Sequence, residues 1–241
     1  MRLFTRPRQA LCRPRGLWGA CRRSNETVIG SHYLTTILKA IRYFANRHQV
    51  DEGGGRILHD HWWVPLKIYK GKGARIILKG DLRIYSFQGD CDPVVITMGR
   101  GSTLHVDGDF MLAQGTKIIL DPDAYLYIGG DDKEKGCGTT GDCKIMVKSR
   151  VHIGKDFLCS WNVFVTDCDW HRLNGKLGQD ETYIGDHVWV TCNCSVLKGS
   201  RIGAGCVVSN GTVVHNQEFE PNNLIVGNPA QAVKKIGAWH R

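Results

Sequence analysis

Four side chains able to bind ligands or move protons lie within five residues of one another: Asp167, Asp169, Trp170 and His171. A neutral imidazole accepts a proton near pH 7, and a carboxylate beside it fixes its tautomer and stabilises the imidazolium. The cluster therefore suits general-base chemistry, although its residue types also fit a solvated loop histidine. Other reactive types are less organised. Cys192 and Cys194 form a Cys-X-Cys pair with no second pair at zinc spacing. Cys137 and Cys143 bracket a polar segment and could meet, but the chain reads as cytosolic and reduced, and Cys194 and Cys206 read as small core residues. The glycines at 53–55 and 70–73 lack the Gly-Lys-Ser/Thr of a phosphate loop and read as turns.

What positions the cluster is a ladder of period six. Ile184, Val190, Val196, Ile202, Val208 and Val214 recur at every sixth position, and each hexad has a small or β-branched fifth residue: Val188, Cys194, Ser200, Cys206 and Thr212. Neither an α-helix nor an alternating strand repeats in six. A three-sided parallel β-helix does, with one aliphatic residue per side pointing inward and coils stacked at roughly 4.8 Å. Gly185 and Gly203 are expected to permit the corner turns. Val147, Ile153, Cys159 and Val165 extend the ladder upstream. From Val165 to Ile184 the period slips by one residue, so the segment 166–183 is expected to leave the coil as a loop.

Residues 66–130 read as earlier, less regular coils, and 131–142 as a second protruding loop. The segment 32–48 carries Leu34, Ile37, Leu38, Ile41 and Phe44 near helical spacing, which predicts an amphipathic helix closing the first coil. Asn228-Pro229 reads as N-cap and first helical residue of a C-terminal helix. The predicted organisation is an Arg-rich head over 1–30 without fixed structure, a helical capping segment over 31–65, a β-helix over 66–227 and a helix over 228–241.

The formal net charge of +9 is uneven. Residues 1–25 hold seven Arg and no acid, and the remainder holds 25 Lys and Arg against 23 acids. That composition argues against a nucleic-acid-binding body. The head fits a disordered start, an amphipathic membrane or organelle-targeting segment, or residues upstream of the true start codon. No apolar run approaches the roughly 18 residues that span a bilayer. A cytoplasmic location is expected, with peripheral membrane association left open.

IGDHVWV, GSRIGAGCVVSNGTVV and NNLIVGNPAQAVKKI, with TDCDWH one coil earlier, resemble the left-handed β-helix hexapeptide-repeat acyltransferases. The style is nearest to the maltose/galactoside and polysaccharide O-acetyltransferases, across roughly 145–236. The resemblance implies an all-β, left-handed parallel β-helix with short terminal helices. It implies an enzyme that carries an acetyl group from acetyl-CoA to a sugar or polysaccharide hydroxyl, with His171 as general base, and a homotrimer with the donor in a groove between subunits. It places Asp186, Asn210 and His215 beside the pantetheine arm, Lys234 and Lys235 near the nucleotide phosphate, and Asn162, Asp169 and Trp170 on the acceptor side. No metal is implied. Trp161 stands where the family has Pro, Gln231 where a basic residue is common, and Asn210 where Ala is common. A γ-type carbonic anhydrase would share the fold and bind zinc through three His, but His152, His171 and His187 lack that family's paired His on one coil. A non-catalytic β-helix assembly protein is the other alternative. A serine acetyltransferase would need a larger helical N-terminal domain.

Overall fold

The computed structural model describes residues 26–87, 89–131 and 136–240. Every residue of the ladder from Ile184 to Val214 is fully buried, as are Val188, Ser200, Cys206 and Thr212, with Cys194 nearly so. They line one continuous core enclosed by three sheets of nine, seven and seven strands, here sheets I, II and III, parallel except for the last strand of sheet I. The chain visits them in turn. The first coil runs through Ile57–His59 in sheet I, Leu66–Lys70 in sheet II and Arg75–Leu78 in sheet III, and Leu82–Tyr85 returns to sheet I. The fold is a left-handed parallel β-helix of hexad type. In its regular part Trp189 pairs with Val207, eighteen residues on. Earlier coils are longer: Leu82 pairs with Phe110, twenty-eight residues on.

The corners show why glycine recurs. The left-handed backbone positions are His187, Asn193, Gly199, Gly205 and Gly211, not Gly185 or Gly203. Gly203 is required for close approach instead, since a Cβ there would lie 2.5 Å from the Pro221 nitrogen of the next coil. The expectation that Gly185 and Gly203 supply the turns is thus corrected: they let neighbouring corners touch.

Both ends differ from the sequence reading. The N-terminal helix, α1, spans Glu26–Asn46 and continues as a 3-10 turn over Arg47–Gln49. The β-helix begins at Ile57 rather than 66. The Arg-rich residues 1–25 lie outside the described residues. No C-terminal helix forms among the described residues: Asn228-Pro229 is a cis peptide, and Gln231–Lys235 returns as a strand antiparallel to Asn223–Val226. The Asn-Pro pair suits a reversal as well as an N-cap, and the open edge of sheet I offers backbone partners that a helix would leave unpaired.

α1 meets the first coil where Asn46 Nδ2 lies 3.2 Å from His59 Nε2. His59 is buried, and burial, reinforced by the charge of Arg42, pushes its pKa down to about 4 from an ordinary 6.5. A histidine that protonates less readily folded than unfolded stabilises the fold fully above pH 6.5, and that contribution is lost as pH falls towards about 4. Thermal melts of the native protein should therefore lose stability across this window relative to His59→Asn. Parallel curves for the two proteins would show that His59 is not a buried neutral imidazole.

Candidate functional site

The one-residue slip in the ladder is a β-hairpin at the edge between sheets II and III. The coil leaves sheet II after Phe164–Thr166, forms Cys168–Leu173 and Lys176–Gln179 as an antiparallel pair, and rejoins sheet III at Thr182–Ile184. Asn174 and Gly175 take left-handed backbone angles at its tip. Below the hairpin the stack continues in register, with Val165 opposite Val196 and Ile153 opposite Ile184.

The neck is closed by polar groups. Asp180 N donates to Asp167 O at 3.1 Å, and Thr182 Oγ1 donates to Thr166 O at 2.9 Å. The Asp167 carboxylate is fully buried and accepts hydrogen bonds from the backbone amides of Lys148, Ser149 and Arg150, each at 2.7 Å. Asp169 pairs with Lys198 Nζ at 2.6 Å. Trp170 has a left-handed backbone and donates from Nε1 to Thr166 Oγ1 at 3.0 Å. These contacts hold the first strand of the hairpin and leave the His171 side chain exposed, with no hydrogen-bond partner among the described residues. A supporting carboxylate on the imidazole is thus not what the acids provide: Asp167 anchors the neck and Asp169 binds a lysine.

The remaining sequence-derived candidates are spread around the prism. His215 shares the hairpin's edge, two coils on, and is exposed. Asp186 lies on the edge between sheets III and I, where its Oδ1 accepts from Lys155 N at 2.7 Å. Asn162 and Asn210 lie on the third edge in a column with Asn193: Asn162 Nδ2 donates to Asn193 Oδ1 at 2.9 Å, and Asn193 Nδ2 to Asn210 Oδ1 at 3.5 Å. Lys234 and Lys235 sit on the final antiparallel strand, with Lys235 Nζ donating to Pro221 O at 2.8 Å. One protomer does not gather these residues into one pocket. Nor does it gather the histidines. His152 is stacked between Tyr127 and Tyr183, at 4.7 and 4.6 Å, and burial lowers its pKa. His187 lies 2.5 Å from Asp156 and is covered by Trp239. Among the described residues of one chain, no three His, Cys, Asp or Glu side chains form a metal-binding group. Cys137 and Cys143 are unbridged, and Cys143 packs against Cys159 at 3.3 Å.

Sequence reasoning missed a cavity of about 450 Å³ on the outer face of sheet I. Phe87, Met111, Leu158, Trp161, Trp189 and Trp239 supply its apolar wall. The hydroxyls of its lining residues are occupied: Ser160 Oγ accepts from Trp189 Nε1 at 3.1 Å, Thr140 donates to Cys159 O, and Thr139 pairs with Thr116. The C-terminal tail completes it. Trp239 stacks on His187 at 4.2 Å and donates from Nε1 to His187 O at 2.9 Å. The only hint in sequence was Trp161 in a corner where the resembled family carries Pro.

No family model matches the chain. It is similar to acetyltransferases: a Staphylococcus aureus (strain N315) protein provisionally named as one is 37% identical over 67 residues, covering 28% of this chain and 33% of that protein. A Lysinibacillus sphaericus protein provisionally named as a macrolide acetyltransferase is 29% identical over 119 residues, covering 46% of this chain and 63% of that protein. The chain thus matches a third of the length of the first relative and under two thirds of the second. Among solved structures, the polysialic acid O-acetyltransferase OatWY aligns over 79% of this chain and 90% of its own, with a TM-score of 0.45 and 22% identity. The polysialic-acid-specific acetyltransferase NeuO aligns over 80% and 81%, with a TM-score of 0.37 and 21% identity.

The two kinds of residue in the hairpin separate experimentally. Asp167→Ala leaves three backbone amides without their acceptor and should lower the unfolding free energy by about 2–4 kcal/mol in urea titrations. His171→Ala removes an exposed ring with no partner and should stay within about 0.5 kcal/mol of the native protein. Equal losses would contradict the division into anchor and reactive group.

Proposed function

We propose that this protein is an O-acetyltransferase that moves an acetyl group from acetyl-CoA to a hydroxyl of a sugar or polysaccharide precursor. The observation that carries the reading is His171: an imidazole without a hydrogen-bond partner, held out from the coil by a hairpin whose neck is pinned through buried polar contacts. His171 takes the proton from the acceptor hydroxyl as its oxygen attacks the thioester carbonyl. The tetrahedral adduct collapses, the C–S bond breaks, and the thiolate of CoA recovers the proton. No acyl-enzyme forms, because holding donor and acceptor together supplies much of the rate.

Donor binding is proposed through Asp186, Asn210, His215, Lys234 and Lys235, and acceptor binding through Asn162, Asp169 and Trp170. Their dispersal over three edges supports a trimer, in which the edge of one protomer faces its neighbour and a groove acquires residues from both. The aromatic wall of the sheet I cavity suits an apolar portion of a ligand in that groove. The name of the Lysinibacillus relative gives its acceptor as a macrolide, so a macrolide belongs beside glycans in an acceptor screen.

His171→Ala should bind acetyl-CoA nearly as the native protein does and turn over about 10²–10⁴-fold more slowly, read by mass spectrometry of acetylated acceptors. His215→Ala should weaken acetyl-CoA binding instead. Native turnover in the His171→Ala protein would remove the general base from the mechanism. Light scattering should give three chains per particle, and a stable monomer with full activity would overturn the shared groove.

A further inference from the structure

α1 carries its apolar stripe on the wrong side for a helix that closes a core. Tyr33, Leu34, Ile37, Ile41 and Phe44 fall within an arc of about 100° on a helical wheel, and all are exposed, Tyr33 at 71% and Ile41 at 57%. The opposite side, with Thr35, Leu38, Lys39, Arg42 and Asn46, is less exposed, and there Asn46 touches the first coil. These five side chains are close to half of the large hydrophobic groups exposed among the described residues. The charge of the sequence is concentrated in the same N-terminal stretch. Residues 1–47 hold ten Lys and Arg against Glu26 alone, while residues 48–241 hold 22 of each sign and are neutral. The entire net charge of +9 therefore lies in residues 1–47 of the sequence.

We propose that α1 docks on an anionic membrane surface, its stripe entering the boundary of headgroups and acyl chains while the flanking arginines pair with lipid phosphates. This goes beyond the proposed acetyl transfer and does not depend on it. An apolar face among basic residues is what such a surface selects. A second copy of the chain fits less well, because apposing two stripes would also bring together two sets of ten basic residues. No helix of the described residues is long and apolar enough to cross a bilayer, so the association lies in the plane of the surface.

The test is flotation of the full chain with vesicles of phosphatidylcholine, pure or containing about one-third phosphatidylglycerol. The native protein should float with the anionic vesicles, at least roughly tenfold more weakly with the neutral ones, and should be released by salt. Leu34→Ser/Ile37→Ser/Ile41→Ser should cut anionic binding by roughly tenfold or more with an unchanged circular dichroism spectrum, as expected for exposed positions. Replacing the seven arginines of residues 1–25 by Gln should weaken binding to a similar degree while leaving the stripe intact. Flotation of the triple-serine protein equal to the native would overturn the proposal. So would a native protein that floats with neither vesicle, or a triple-serine protein whose particle falls below the native mass, the result expected if a second copy covers the stripe.

Discussion

A solenoid stays in register only if each coil returns to the point where the next must begin. The Asp167 carboxylate secures that return at the coil that opens into the hairpin. In the regular corners, backbone amides find carbonyls in the adjacent coil. Where the chain departs for fifteen residues of hairpin and neck, the amides of Lys148, Ser149 and Arg150 would lose their partners, and a single buried carboxylate receives all three. Thr182 then ties the returning strand to Thr166. The inward column of Val165, Val196 and Val214 on sheet II therefore passes beneath the hairpin unbroken. The exposed position of His171 follows from the same closure.

The regular half of this fold is legible in the sequence because its coils are eighteen residues long and every side contributes one aliphatic at constant spacing. The earlier half obeys the same inward rule, with Ile84, Leu112 and Ile118 fully buried. Its coils of twenty-two to twenty-eight residues have longer strands and corners of unequal length, so periodicity fades although packing does not. At the C-terminus, Asn228-Pro229 is locally ambiguous, and the exposed edge of sheet I decides in favour of a strand. At the N-terminus the helical spacing is readable but the face is not. Spacing shows that one side is apolar, whereas only the packing shows which side meets the protein.

The site is legible in part. His171 is legible from its acidic neighbours, but those acids do other work: Asp167 lies in the neck before the strand, and the left-handed backbone at Trp170 and the register shift there break the alternation that would put Asp169 and His171 on one face. The aromatic cavity is harder to read. Trp161, Trp189 and Trp239 come from two corners or strands of sheet I and from the tail, and no local pattern joins residues separated by one coil and by the length of the C-terminal segment. The stacked column of Tyr127, His152 and Tyr183 is hidden for the same reason: its members are neighbours only across coils.

The tail has a further effect on how the molecule comes apart. In a stack whose coils touch only their neighbours, the last coil has one unprotected side and can fray alone. Here the chain doubles back after its last coil, pairs Gln231–Lys235 along Asn223–Val226, and locks Trp239 onto His187 two coils earlier. Loosening the terminal coil therefore also breaks contacts in the middle of the stack. This links the final coils into one cooperative unit, so that hydrogen exchange there reports the opening of a block rather than of an end.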